Sequence, residues 1–253
     1  MTASIARIES AGYQLWSPDE VATIDGWVVV SNGGFTRRLN SASTTTDAST
    51  SAGTRERIEA WLGERGAPMT VRVTPLIPES VLEGCVYGWN LVPRDETLVL
   101  AAEPEPSAAS EVILVAPGDP GFVDDLFRLN GWHDRFRPAW DRLAARLGTR
   151  GIGLWIPGRA VGLVAETDRV GFVYSVAVDE GSRRQGLAVR VMEAAHAWAL
   201  ATGATVLTLQ VLGTNAVARS LYESLGYDRL YTYHYLQARA RERTSEPRRR
   251  GRR

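Results

Sequence analysis

A β-branched, alternating run, Val173-Tyr174-Ser175-Val176-Ala177-Val178, is followed after a short turn by Arg183-Arg184-Gln185-Gly186-Leu187-Ala188 and a helical pattern from Leu187 to about Thr202. No other feature of the chain restricts its fold as much. A strand that feeds a glycine-containing basic loop and a helix N-terminus brings free backbone N–H groups and the positive end of the helix dipole to one point. That arrangement grips phosphate. Gly186 carries no side chain to block close backbone approach, and Arg183 and Arg184 add positive charge. Two other phosphate-binding constructions do not fit. A P-loop needs a Lys-Ser or Lys-Thr pair, and the chain has no lysine; a dinucleotide turn needs Gly-x-Gly-x-x-Gly, which does not occur.

The residues downstream extend the pattern. Thr205 to Val211 reads as a second strand. Thr214 or Asn215 can cap the helix that follows, and Gly226 can end it. Asn215, Ala218 and Tyr222 fall on one face of that helix, and Asp228 to Leu236 reads as a closing aromatic strand. Upstream, residues 104–110 (Pro-Glu-Pro-Ser-Ala-Ala-Ser) read as a linker. Glu111 to Val115 then reads as a strand, with helices over Phe122 to Leu129 and Pro138 to Leu147. Ile152 to Ile156 and Ala160 to Glu166 read as a hairpin around Pro157-Gly158-Arg159. The resulting order is β-α-α-β-β-β-α-β-α-β.

Arg183-x-x-Gly186-x-Ala188 behind an apolar strand, with Asn215-x-x-Ala218-x-x-x-Tyr222-x-x-x-Gly226-Tyr227 after it, resembles the GNAT (GCN5-related N-acetyltransferase) superfamily. The resemblance implies an α/β (α+β) fold with a central mixed, mostly antiparallel sheet flanked by helices. It also implies an N-acetyltransferase that uses acetyl-CoA as co-substrate. By that resemblance, Arg183, Arg184, Gln185, Gly186, Leu187 and Ala188 hold the pyrophosphate, and Val176, Ala177 and Val178 pair with the pantetheine arm. Asn215 contacts that arm, and Tyr222 stands beside the thioester sulfur as general acid. A phenol there can protonate the leaving thiolate, and a strand N–H near Val176 can stabilise the developing oxyanion.

The chain departs from the family's simplest pattern in its base. The strand Gly171 to Val178 carries no carboxylate, and Glu166, Asp168 and Asp179 lie only near its ends, so the base stays unassigned. The segment between the two predicted helices lines the acceptor pocket in the family, which makes Trp132 and Asp134 candidates for acceptor binding. Leu187, Val191 and Trp198 read as helix core, and His196 falls off that face and reads as solvated. Neither His133 nor His234 has neighbours in sequence that suggest a metal site, so no metal is expected. An acyl-CoA-binding sensor without turnover is the alternative that the missing carboxylate raises.

Residues 1–103 are expected to form a smaller, degenerate GNAT-like domain ahead of a catalytic domain over 111–238. The resemblance there, to two-part bacterial GNAT proteins, rests on Asp25-Gly26-Trp27 and Thr36-Arg37-Arg38-x-Asn40-Ser41. No Arg-x-x-Gly-x-Ala loop occurs in this part, so no CoA site is expected in it. Gly26 to Val30 and Phe35 to Leu39 read as a hairpin across Asn32-Gly33-Gly34, Ser41 to Ser51 as a mobile loop, Arg55 to Gly66 as a helix and Met69 to Thr74 as a strand. The helix, ending in glycine before a strand, faintly echoes Leu221 to Tyr227.

Hydrophobic residues at 44% and charged residues at 23% are those of an ordinary globular protein. No apolar run approaches a membrane span, and no signal pattern opens the chain. A single cysteine, Cys85, excludes an internal disulfide. A cytoplasmic protein without a membrane partner is therefore the expectation, with a small-molecule or peptide amine as acceptor and the oligomeric state left open. All 29 basic residues are arginine, so the chain cannot acetylate itself on a lysine side chain. Residues 239–253 form an arginine-rich tail, expected to be solvated and disordered. Anchoring to nucleic acid or ribosomes through this tail is the less favoured alternative, because no aromatic residue interrupts it for base stacking.

Overall fold

The computed structural model describes residues 4–107 and 111–239. The arginine-rich tail beyond Arg239 and residues 108–110 of the expected linker lie outside the described residues. Eleven strands form one sheet: β1 (Glu20–Ile24), β2 (Trp27–Ser31), β3 (Ser41–Ser43), β4 (Thr70–Val73), β5 (Leu91–Ala102), β6 (Ile113–Val115), β7 (Gly151–Ile156), β8 (Ala160–Thr167), β9 (Val170–Val178), β10 (Val206–Leu212) and β11 (Asp228–Ala238). Their order across the sheet is β1-β2-β3-β4-β11-β5-β10-β9-β8-β7-β6. Neighbours pair antiparallel except β3 with β4 and β9 with β10, which run parallel.

The helices are α1 (Ile5–Leu15), α2 (Ala52–Gly63), α3 (Glu79–Glu83), α4 (Pro120–Asn130), α5 (Arg137–Leu147), α6 (Leu187–Ala201) and α7 (Ala216–Ser224). From β6 onward the elements follow the expected order, and their ends agree with the local chemistry. Asp119 caps α4 by accepting from the Phe122 N–H at 3.0 Å, and Gly131 closes it in the left-handed region at φ +64°.

The two ends of the chain are woven together. β11 lies between β4 and β5, and β5 lies between β11 and β10. Each parallel pair leads through a helix, α3 or α7, into one of these two central strands. The same succession therefore occurs twice about the β5–β11 pair, and each half places its last strand beside the penultimate strand of the other. By this succession α2, which lies between β3 and β4, matches α6 rather than the segment Leu221 to Tyr227 that it echoes in sequence.

Two cores cover the faces of the β5–β11 region. On one face α1, α4 and α5 pack on Phe172, Tyr174 and Tyr231. On the other, α6 and α7 pack on Leu98, Leu100, Val173, Leu207 and Leu209. A third core, around Trp27, Ile58, Leu62, Cys85 and Trp89, belongs to the first half. Helix α1 reaches across to the second half, where Arg7 Nη2 donates to the Asp168 carbonyl at 2.8 Å and Gln14 Nε2 to the Asp168 carboxylate at 3.0 Å.

Three expectations are corrected, two of them in the first half. Phe35 to Leu39 is not a strand. Thr36 caps a 3-10 turn over Arg37–Leu39, and β2 pairs instead with β1, across an Asp25-Gly26 turn, and with β3. The cause is Asn40. Its side chain accepts from the N–H groups of Asn32 and Gly34 at 3.2 and 2.9 Å and donates to the Thr36 carbonyl at 2.6 Å, satisfying the turn's backbone from within. Ser41 to Ser51 is not a free loop, since Ser41, Ala42 and Thr44 are buried and β3 is part of the sheet. In the second half His196 is buried, not solvated. Its Nδ1 accepts from the Glu105 N–H at 3.2 Å, and its Nε2 lies 3.0 Å from the Tyr227 hydroxyl. Burial holds its pKa below the ordinary histidine value.

Candidate active site

β9 and β10 pair in parallel only as far as Val173 and Leu209. Beyond that point the two strands no longer bond to each other, and the sheet opens into a wedge with Tyr174 and Gln210 as its first unpaired residues. The wedge coincides with a β-bulge. Val161 pairs with Ala177 and Leu163 with Tyr174, so Ser175 and Val176 together oppose Gly162. Ser175 takes the left-handed region at φ +55°, which re-aims the backbone there. Val176, Ala177 and Val178 follow, all half-buried.

The basic loop closes one end of this wedge. Asp179 accepts from the Gly181 N–H at 3.1 Å and starts a turn over Glu180–Ser182. Arg184 at φ +60° and Gly186 at φ +76° then bring the chain into α6. Gly186 stands at the N-cap, and no side chain caps the helix. A Cβ placed on Gly186 would meet no protein atom within 4 Å, so the space in front of these amides is free for a ligand. Arg183, Arg184, Gln185 and Gly186 are exposed, Leu187 is buried in the α6 core and Ala188 is half-buried. Gln185 is held from outside, its Oε1 accepting from Arg159 at 2.6 Å. Exposed N–H groups, a dipole end and two cations meet the physical requirements for a pyrophosphate.

Helix α7 forms the other wall. Asn215 is its N-cap, with its side-chain oxygen accepting from the Ala218 N–H at 3.1 Å. Its amide nitrogen thus stays available as a donor. Leu212 and Val217 beside it leave apolar side chains 45% and 85% exposed, a surface suited to an alkyl amide arm. Tyr222 is buried on the same face of the sheet, edge-on to Tyr227 with ring centroids 6.0 Å apart. Burial alone raises its pKa, which keeps the phenol protonated.

The carboxylates near the ends of β9 are committed elsewhere. Glu166 accepts from the Arg169 N–H at 2.6 Å in the β8–β9 turn, Asp168 is held by Gln14, and Asp179 accepts from Arg128 at 3.1 Å. Trp132 packs edge-on to Phe35 and Phe127 at 5.0 and 5.4 Å, and Asp134 pairs with Arg137 at 2.8 Å while remaining largely exposed. Neither lines the cavity described next.

On the α1 face, opposite Tyr222, Glu9, Trp16, Arg38, Arg72, Gln210 and Tyr231 line a cavity. Arg72 and Glu9 form a two-pronged ion pair at 2.5 and 2.9 Å, and the Tyr231 hydroxyl also donates to Glu9. Burial would raise the Glu9 pKa, but Arg72 outweighs it and holds the carboxyl below its ordinary value. Apart from the Arg37-Arg38 pair in the first-half motif, no local pattern pointed to this cavity, because its residues come from α1, β4, β10 and β11.

Among the described residues, no cluster of three or more His, Cys, Asp or Glu side chains could hold a metal, and no helix is long and apolar enough to cross a membrane. Comparison with known proteins places the chain. Residues 2–236 match the family described as "Probable histone acetyltransferase Rv0428c C-terminal". An uncharacterized N-acetyltransferase, YobR of Bacillus subtilis, is 22% identical, covering 91% of this chain and 97% of its own. A GCN5-related N-acetyltransferase from Kribbella flavida superposes with a TM-score of 0.70 at 17% identity, over 95% of this chain and 97% of that one. A tandem GNAT protein from the clavulanic acid biosynthesis pathway gives 0.56 at 11% identity, over 83% and 76%. With the wedge, the bulge and the loop in place, these matches make the chain a member of the GCN5-related N-acetyltransferase superfamily, an acyltransferase.

Proposed function

We propose that the protein moves an acetyl group from acetyl-CoA to an amine by direct attack, without a covalent enzyme intermediate. The observation that carries this is the meeting of three features at one wedge: the β9–β10 opening, the bulge at Ser175–Val176 and the uncapped N-terminus of α6. In this reading the amides from Arg183 to Ala188 hold the pyrophosphate. Val176 to Val178 and Asn215 hold the pantetheine arm. An N–H at the bulge stabilises the negative charge that grows on the thioester oxygen. The amine nitrogen bonds to the carbonyl carbon as the carbon–sulfur bond breaks, Tyr222 gives its proton to the departing sulfur, and the amine loses a proton to water. Residues 111–238 supply these groups. Residues 1–103 act as the degenerate half, covering the acceptor side through α1 and the turn that carries Arg38.

Titration with acetyl-CoA, followed by measurement of free CoA release against a panel of amines, tests the proposal. Saturable binding with release that depends on one class of amine is expected. Binding without release for any amine would overturn the transfer step.

A further inference from the structure

We infer that the acceptor carries a carboxylate near its amine, and that Arg38 binds this carboxylate in the cavity beneath α1. The inference rests on the transferase reading and adds the class of its acceptor.

Its basis is an unbalanced charge at the apex of the wedge. Arg38 projects from the 3-10 turn after β2 and donates through Nη2 to Gln210 Oε1. Its guanidinium lies over the rings of Trp16 and Tyr174 at 5.7 and 5.6 Å. Its Nε is enclosed and has no hydrogen-bond partner among the described residues. Among the described residues no carboxylate forms an ion pair with it. Glu9, the acidic residue lining the cavity, is taken up by Arg72. Gln210 Oε1 is shared as well, since it also accepts from the Tyr233 hydroxyl at 2.7 Å. The guanidinium thus has a single neutral acceptor, on a side chain that is half-buried. A charge drawn partly out of water without a counter-charge is costly, and a ligand can supply one.

Position makes this charge relevant to the reaction. Tyr174 and Gln210, two of the residues that Arg38 touches, are the first on β9 and β10 past their last paired residues. Phe172 and Tyr174 face the α1 side of the sheet, while Leu209 and Val211 face α6 and α7. The cavity and the Tyr222 wall thus lie on opposite faces of the sheet, with the β9–β10 gap between them. An amine held on the α1 side reaches a thioester lying in the wedge, and a carboxylate on the same small molecule falls to Arg38. The planar fork of a guanidinium matches a carboxylate with two parallel bonds. One uncompensated positive charge calls for one negative charge, which favours a carboxylate over a doubly charged phosphate. The cavity itself is small, about 40 Å³, with room for a carboxylate group but not for a folded protein.

The surroundings support a positive field. Burial would raise the Tyr233 phenol, yet Arg38 and Arg72 together bring its pKa below the ordinary value.

The test uses product-side probes, so that it does not depend on turnover. N-acetyl amino acids with free carboxylates, and the same compounds as primary amides, are titrated by calorimetry into the full-length protein in the presence of CoA. For at least one side chain the acid is expected to bind about tenfold or more tighter than its amide. Arg38→Met should abolish that difference and Arg38→Lys should retain part of it. Equal binding of acid and amide by the wild-type protein, or binding of neither, would overturn the carboxylate assignment. A separate titration with acetyl-CoA judges the transferase reading, and its failure would show as loss of cofactor binding whatever the acids do.

Discussion

Gly162 shows how closely α6 is fitted to the sheet. A Cβ on Gly162 would lie 2.6 Å from Val191 Cγ1 and 3.5 Å from Val176 Cγ2. The first distance is about 1 Å short of carbon–carbon contact. Val191 cannot turn away, because a β-branched side chain in a helix has essentially one χ1 rotamer. Gly162→Ala must therefore lift the first turns of α6 off β8. Overpacking of this kind costs about 1–3 kcal/mol. About 0.5–1 kcal/mol is recovered from the lower entropy of the unfolded chain. The net loss is about 0–2.5 kcal/mol, and at about 2–4 °C per kcal/mol for a chain of this size the melting temperature should fall by up to about 10 °C. Because Gly162 opposes the bulge at Ser175–Val176, the same displacement moves the α6 amides away from the wedge. Acetyl-CoA binding should weaken by about tenfold, equivalent to about 1.4 kcal/mol.

Thermal unfolding and calorimetric titration of Gly162→Ala, Val191→Ala and the double variant give the coupling directly. The double variant should cost less than the sum of the singles, since Val191→Ala removes the atom that clashes. Gly53→Ala is the control. That glycine lies in α2 with no atom within 4 Å of a Cβ, so it should be neutral or stabilising by up to about 1 kcal/mol. Strict additivity of the Gly162 and Val191 changes would refute the reasoning.

Tyr222→Phe should lower kcat by about a hundredfold or more, the range for loss of a general acid, with unchanged acetyl-CoA affinity in a titration; equal losses in both would mean the ring only packs. Asn40→Ala, which strips the polar scaffold from the turn carrying Arg38, should destabilise the fold by about 1–3 kcal/mol in urea unfolding. His196 has a folded pKa held down by burial, so the unfolded chain binds the extra proton as pH falls. Its contribution is therefore intact above about pH 6.5 and lost on acidification at up to about 1.4 kcal/mol per pH unit, which His196→Gln should blunt in melting curves taken from pH 7.5 to 5.

The second half of the molecule was legible in the sequence because its signals are local. Apolar and β-branched runs mark β8 and β9, Asn215 caps its helix, and the Arg183–Ala188 loop sits where strand gives way to helix. The first half was less so. β1 is an edge strand with mostly exposed residues and shows little alternation, so the β1–β2 hairpin did not stand out. Phe35 to Leu39 has a strand-like composition, but Asn40 satisfies its backbone in another way. His196 lies off the apolar stripe of α6, yet Glu105 covers it from the linker and Tyr227 from the turn before β11, contacts between distant parts of the sequence. The exchange of β5 and β11, and the joining of Arg38 to Gln210 across 172 positions, depend on pairing between the two halves that no local period encodes.

The central claim is that the loop from Arg183 to Ala188 and the adjoining wedge hold acetyl-CoA. Calorimetric titration of the wild-type protein and of Gly186→Glu, both checked for folding by thermal melting, tests it most directly. The account predicts saturable binding by the wild type and its loss in the variant, because a charged side chain would occupy the open space before the α6 amides. A folded Gly186→Glu variant that binds acetyl-CoA as the wild type does, or a folded wild type that does not bind it, would contradict the account.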